Sequence, residues 1–109
     1  MTDLARGSIV SVYAVFADMQ EACRIGGRVV EEKLAACVNV LGECHSIYRW
    51  QGKVEVATEA AAIFKARADK AKALMARIAE LHSYEVPAIT IWPVERALPA
   101  YAAWVEAEG

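Results

Sequence analysis

The stretch Leu81 to Ile89, LHSYEVPAI, sets a histidine, a tyrosine and a glutamate within four positions beside a proline. A neutral imidazole at His82 could bind copper or zinc if two or more further nitrogen, sulfur or carboxylate ligands stood close. The same histidine could instead close a helix, favoured by the helix dipole and hydrogen-bonded to a carbonyl. Tyr84 and Glu85 could shuttle protons beside it. No nucleophile accompanies them locally, and the plainer reading packs Tyr84 on a sheet and pairs Glu85 with Lys65 or Arg67.

Other residues offer chemistry further up the chain. Cys44 and His45 are adjacent, and a thiol with an imidazole suits a soft cation. A strand sends neighbouring side chains to opposite faces, so both reach one ion only where a bulge intervenes. Cys37 lies in an apolar strand and reads as a small buried hydrophobe. Tyr48, Trp50 and Trp92 could line an aromatic ligand box, but packing between subunits is the simpler role. Lys65 and Arg67 could hold a small anion in a cleft, although no glycine-rich phosphate loop accompanies them.

The elements that must position these residues follow from periodicity and caps. Ser8–Phe16 is β-branched, aromatic and almost unbroken in apolarity, which predicts a buried strand. Asp18 with Glu21 three residues on has the capping-box form and opens a helix, with Met19, Ala22, Ile25, Val29 and Val30 on its apolar face. Gly26 and Gly27 inside that helix predict close packing on the sheet, since each costs about 1 kcal/mol against alanine. A strand from Ala36 continues past Gly42 to Trp50, and Gln51-Gly52 turns it into a return strand, making a hairpin.

From Ala57 to Leu81 local signals conflict. Propensity draws helix through the alanines, whereas Ile63-Phe64 suits a strand; the spacing of Ala71, Leu74, Met75, Ile78 and Leu81 is helical, with Asp69 as a cap. We divide the region at Ala68-Asp69, strand before and helix after. Val86–Val94 predicts a strand bracketed by prolines, and Leu98–Glu106 a closing helix with Pro99 at its start. This order, strand, helix, strand, strand, helix, strand and a terminal helix, is the split βαβ arrangement of α+β ferredoxin-like domains.

The 109 residues suffice for one domain, residues 1–109 with a core of about 9–106. Net charge is −2 with no basic stripe, which argues against nucleic acid. No apolar run is long enough for a membrane span, and Met1–Arg6 shows no signal-peptide pattern, so the expected compartment is the cytoplasm. Three cysteines without metal spacing fit reduced thiols. An apolar fraction of 57% in so small a domain predicts surface left for other copies of the chain.

Four stretches together carry a family resemblance. Glu31–Glu55, EEKLAACVNVLGECHSIYRWQGKVE, resembles the LAACVN segment and S-I-Y-x-W-x-G-K-x-E hairpin of the CutA divalent-cation-tolerance proteins. Phe64–Arg67, FKAR, resembles their K-T-R strand end, LHSYEVPAI their H-P-Y-E-V-P-E-I, and Tyr101–Val105, YAAWV, their Y-x-x-W close. The resemblance implies a homotrimer of ferredoxin-like domains similar in architecture to PII proteins, with hairpin strands reaching neighbouring copies, and it supplies the strand reading for Ala57–Arg67. It also implies a part in tolerance of divalent cations, copper binding in some members, no required cofactor and no established reaction. Where relatives carry cysteine then proline after the first strand, this chain has Phe16 and Ala17; the proline of H-P-Y is Ser83, and the glutamate of V-P-E-I is Ala88. A soft metal site built from that cysteine, histidine and glutamate retains only His82.

Two functions follow as expectations. One is a non-enzymatic homotrimer for divalent-metal tolerance, with Cu²⁺ contacts at His82, Cys44 or His45 and interfaces at Tyr48, Trp50 and Trp92. The other is a PII-like sensor whose intersubunit clefts, lined by Lys65, Arg67, His82, Tyr84 and Glu85, hold a small anion.

Overall fold

A computed structural model describes residues 7–109; the leader reading of Met1–Arg6 lies outside them. The elements are β1 (Ile9–Phe16), α1 (Met19–Glu31), β2 (Cys37–Trp50), β3 (Lys53–Arg67), α2 (Ala71–Leu81), β4 (Ile89–Pro93) and α3 (Pro99–Glu108), with a 3₁₀ turn at Ala68–Lys70 before α2. They form an antiparallel four-stranded sheet in the order β2-β3-β1-β4, the α+β ferredoxin-like arrangement expected.

Alternation along β1 divides two cores. Val10, Val12, Ala14 and Phe16 face α1 and α2, meeting Ala22, Ile25, Val29, Leu74 and Ile78. Ile9 faces the other way, against Ala36, Ala102 and Val105, so α3 covers part of the second sheet face. Sequence patterning thus produces a sheet with both faces occupied near Ile9 and one face largely open further along.

Gly26 bears out half of the glycine-pair expectation. A Cβ there would lie 3.0 Å from Val38 Cγ1, whereas at Gly27 it would meet nothing within 4 Å. Met19, expected on the buried face, is exposed because it lies in the first turn beyond the reach of the sheet. Asp69 does not cap α2; it forms two hydrogen bonds with the Arg67 guanidinium instead.

The hairpin follows from its turn. Gln51 and Gly52 have φ of 49° and 81°, the positive pair that a type I′ turn needs to match strand twist. Its strands outrun the rest of the sheet: β1 pairs with β3 between Arg67 and Ala60, so among the described residues, 53–59 have β2 as their only strand partner. The domain is accordingly 51 Å long but 28 by 22 Å across. The register slips between Val40 and Gly42, leaving Leu41 as a bulge and reversing which positions face the helices.

β4 is shorter than expected. β1 ends at Phe16 and has its last pair with β4 at Ala14–Ile89; Pro87, opposite Phe16 in that register, has no amide proton to pair, and Val86 lies beyond the end of β1. The last helix extends two residues beyond the expectation, with Leu98 as its cap and Pro99 in its first turn. Among the described residues, no helix is long and apolar enough to cross a membrane.

Candidate functional site

His82 follows the last residue of α2, with φ −71° and ψ 145°, and its extended backbone turns the chain across the end of β1. The side chain is fully enclosed and stacks on Phe16, ring centroids 5.1 Å apart. Both nitrogens are occupied. Nε2 lies 2.8 Å from the Val15 carbonyl, which can only accept, so Nε2 carries the proton. Nδ1 accepts from the Tyr84 amide at 3.0 Å. The ring is therefore the neutral Nε2–H tautomer, and the helix-closing reading holds. As a metal ligand His82 needs correction: neither nitrogen has a free lone pair facing outward.

A carboxylate that sequence reading treated only as a cap completes this site. Glu21 sits in the first turn of α1, where Asp18 Oδ1 accepts from its amide at 2.8 Å. Its own carboxylate does not return to the Asp18 amide. Oε1 accepts from Ala17 N and Oε2 from Ser83 N, each at 3.0 Å. Burial pushes the Glu21 carboxyl up, but hydrogen bonds from Ser83 and Ala17 outweigh it and hold it below the usual value. Glu21 Oε1 is 3.9 Å from His82 Nδ1, and Arg24 stands 3.8 Å from the other oxygen.

Tyr84 extends the network to the hairpin root. Its hydroxyl donates to Glu59 Oε2 at 2.6 Å, and its ring lies 4.8 Å from that of His82. Burial, then the hydrogen bond to Glu59, raises the phenol well above its ordinary range, so it stays a donor. Glu85 is exposed and has no ion pair among the described residues, because Arg67 lies at the opposite end of β1, beside Ile9. The expected pairing with Lys65 or Arg67 is corrected on that ground.

The remaining candidates lie apart within one protomer. Cys44 is half-buried and directly across from Glu59, while His45 is exposed and across from Thr58, so the two share no face. The bulge at Leu41 lies upstream of both and does not reunite them. Arg67 borders an open depression of about 360 Å³ with Ser8, Ala68, Asp69 and Glu106, where Asp69 already occupies its guanidinium. Lys65 is half-buried between Ser11 and Cys37 on the neighbouring strands. Cys37 is half-buried rather than enclosed, 3.7 Å from the Tyr101 hydroxyl, which burial and this thiol push up to about 12. Tyr48 and Trp50 are exposed on the hairpin arm, and Trp92 stacks on Tyr13 at 5.1 Å. Among the described residues no group of three or more His, Cys, Asp or Glu could hold a metal.

Residues 10–108 match the family described as CutA1 divalent ion tolerance protein. The chain belongs to the CutA1 family. It is 39% identical over 95 residues to the divalent-cation tolerance protein CutA of Archaeoglobus fulgidus, covering 87% of this chain and 92% of that protein. It is also 39% identical over 99 residues to the Xenopus laevis CutA homolog, covering 91% of this chain but 66% of the longer frog protein. The structure described as the periplasmic divalent cation tolerance protein CutA from Archaeoglobus fulgidus superposes with a TM-score of 0.88 at 37% identity, covering 92% and 97% of the two chains.

Against the CutA1 pattern, the departures noted in the sequence acquire a physical meaning. The family pattern that the sequence resembles would put proline at the places of Ala17 and Ser83, and proline has no amide proton to give. Here those two residues supply both backbone donors to Glu21. Phe16, where the resemblance would put cysteine, fills the space against the His82 ring with an apolar face. Glu21 could have been noticed by asking what non-proline residues at 17 and 83 make available. Glu59 carried no sequence signal, because its partner lies 25 residues away.

Proposed function

We propose that this CutA1 protein acts as a homotrimer in tolerance of divalent metal ions, copper among them, without catalysing a reaction. The observation that carries the reading is the hairpin arm. Ile47, Val54 and Val56 are 72%, 63% and 67% exposed there, together with Trp50, and such a surface calls for other copies of the chain. Family membership supports divalent-ion tolerance as the process. Copper would then meet ligands from more than one copy, with Cys44 the soft donor and Glu59 across from it a second. The non-enzymatic reading rests on Glu21 and His82, whose acid/base groups are spent on backbone amides and a carbonyl.

Sedimentation at low micromolar concentration with calorimetric Cu²⁺ titration tests this. We expect a trimer whose copper binding survives His82→Ala and His45→Ala and falls in Cys44→Ser. A folded lone protomer, or binding indifferent to Cys44, overturns it. A second reading, an anion sensor of the PII kind, is favoured by Lys65, a half-buried amine without an ion pair among the described residues. Titration with a panel of anionic metabolites on wild type and Lys65→Ala separates it from the first. We place the protein in the cytoplasm on its free thiols Cys23, Cys37 and Cys44, which cell fractionation checks.

A further inference from the structure

The hydrogen bonds around His82 are satisfied in one protonation state. With the proton on Nε2, the ring donates to Val15 and accepts from the Tyr84 amide. Add a second proton at Nδ1 and two N–H groups face each other where one hydrogen bond stood. The new N–H has one acceptor within reach, Glu21 Oε1 at 3.9 Å, which already holds the Ala17 amide. An ionised carboxylate has lone pairs to accept both. Turning the ring toward it surrenders the Tyr84 amide.

We propose that His82 and Glu21 form a proton-operated latch on the turn after α2, closed when His82 is neutral and opened at Tyr84 when it is charged. The charged and titratable groups facing His82 are few. From α1 come Glu21 and, behind it, Arg24; from the turn comes Tyr84; and from β3 comes Glu59, through the Tyr84 hydroxyl. β1 presents the Phe16 ring and the Val15 carbonyl, neither of them titratable. The open state therefore gains a contact between imidazolium and carboxylate in an enclosed setting, while the turn after α2 loses one of its two backbone anchors, the Tyr84 amide, and keeps the Ser83 amide on Glu21 Oε2. The opening reaches beyond the turn, because Tyr84 is also what engages Glu59 at the root of the hairpin. The sign is fixed by geometry: the open form binds the extra proton, so acidification favours it.

The test is made on the intact, uniformly ¹⁵N-labelled protein, between about pH 8 and about pH 5, where histidine is the side chain that ordinarily changes charge. Long-range ¹H–¹⁵N spectra should give the Nε2–H tautomer for His82 at the upper end. As the ring charges, amide-exchange protection at Tyr84, corrected for intrinsic rates and taken relative to Phe64, should fall at least about tenfold with the same midpoint. Glu21→Gln should move that midpoint to lower pH, because the carboxylate that draws the proton is gone. His82→Gln should abolish the pH response. If that variant fails to fold, the tautomer and exchange readings on wild type decide alone. An Nδ1–H tautomer, a ring that stays neutral throughout, or a charged ring with Tyr84 protection unchanged overturns the latch.

Discussion

Lys33 occupies a position that helices give to glycine. Its φ is 60°, and the Leu34 and Lys33 amides bond to the Val29 and Val30 carbonyls, the Schellman pattern that ends α1. Lys33→Gly should therefore raise unfolding free energy by up to about 1 kcal/mol, read from the urea midpoint. The Lys70 ammonium is unaffected, since it bonds the Lys33 carbonyl and not the side chain. Glu21 makes the opposite case. Its folded pKa lies below the ordinary 4.5, so its contribution is present above that value and lost as pH falls through the folded one. Glu21→Gln leaves an amide NH₂ facing a backbone N–H and should cost about 1–3 kcal/mol near neutrality. The gap from wild type should narrow on acidification in parallel denaturation curves. Glu32 is held at about 2, by hydrogen bonds from Arg77 and then, against burial, from Arg28, and a carboxyl NMR titration should find it there.

At the scale of elements, the two glycines of α1 separate packing from propensity. Gly27→Ala should stabilise by about 1 kcal/mol, because the helix gains alanine and nothing is displaced. Gly26→Ala should show no such gain, since Val38 on β2 must move aside. Thermal unfolding of the pair reads both against one wild type. The sequence offered the glycines as a unit, and only the crossing of α1 over β2 distinguishes them. The hairpin is the converse example. Its turn was legible because Gln51-Gly52 sits between two strand-like runs, but its register was not. The bulge at Leu41 is decided by pairing with residues on β3, and it determines that Cys44, rather than His45, faces Glu59.

For the whole molecule, the hairpin arm is the feature on which the proposed trimer turns. Val56 and Ile47 are direct cross-strand partners on one face, both largely exposed. Placing lysine at both should leave the domain folded, since its cores lie elsewhere, and shift sedimentation toward a protomer-sized species. An unshifted trimer would move the interface to the open sheet face around Tyr13 and Trp92. The candidate anion cleft divides at this scale too. Lys65 and Arg67 stand toward the Ile9 end of β1, and His82 and Tyr84 toward the Phe16 end, so only a second copy could unite them.

Local chemistry in the chain determined the first strand, the start of α1, the turn at Gln51-Gly52 and the histidine that closes α2, because each depends on residues a few positions apart, whereas the strand reading of Ala57–Arg67 came from the family resemblance. Motif spacing carried the family for the same reason. Tertiary structure decided what the polar groups do. Glu21 meets Ser83 62 residues later, His82 meets Val15 67 residues earlier, and Tyr84 finds Glu59 across the hairpin root. Hydrogen bonds act over about 3 Å, and only the folded chain brings groups so distant in sequence within that reach.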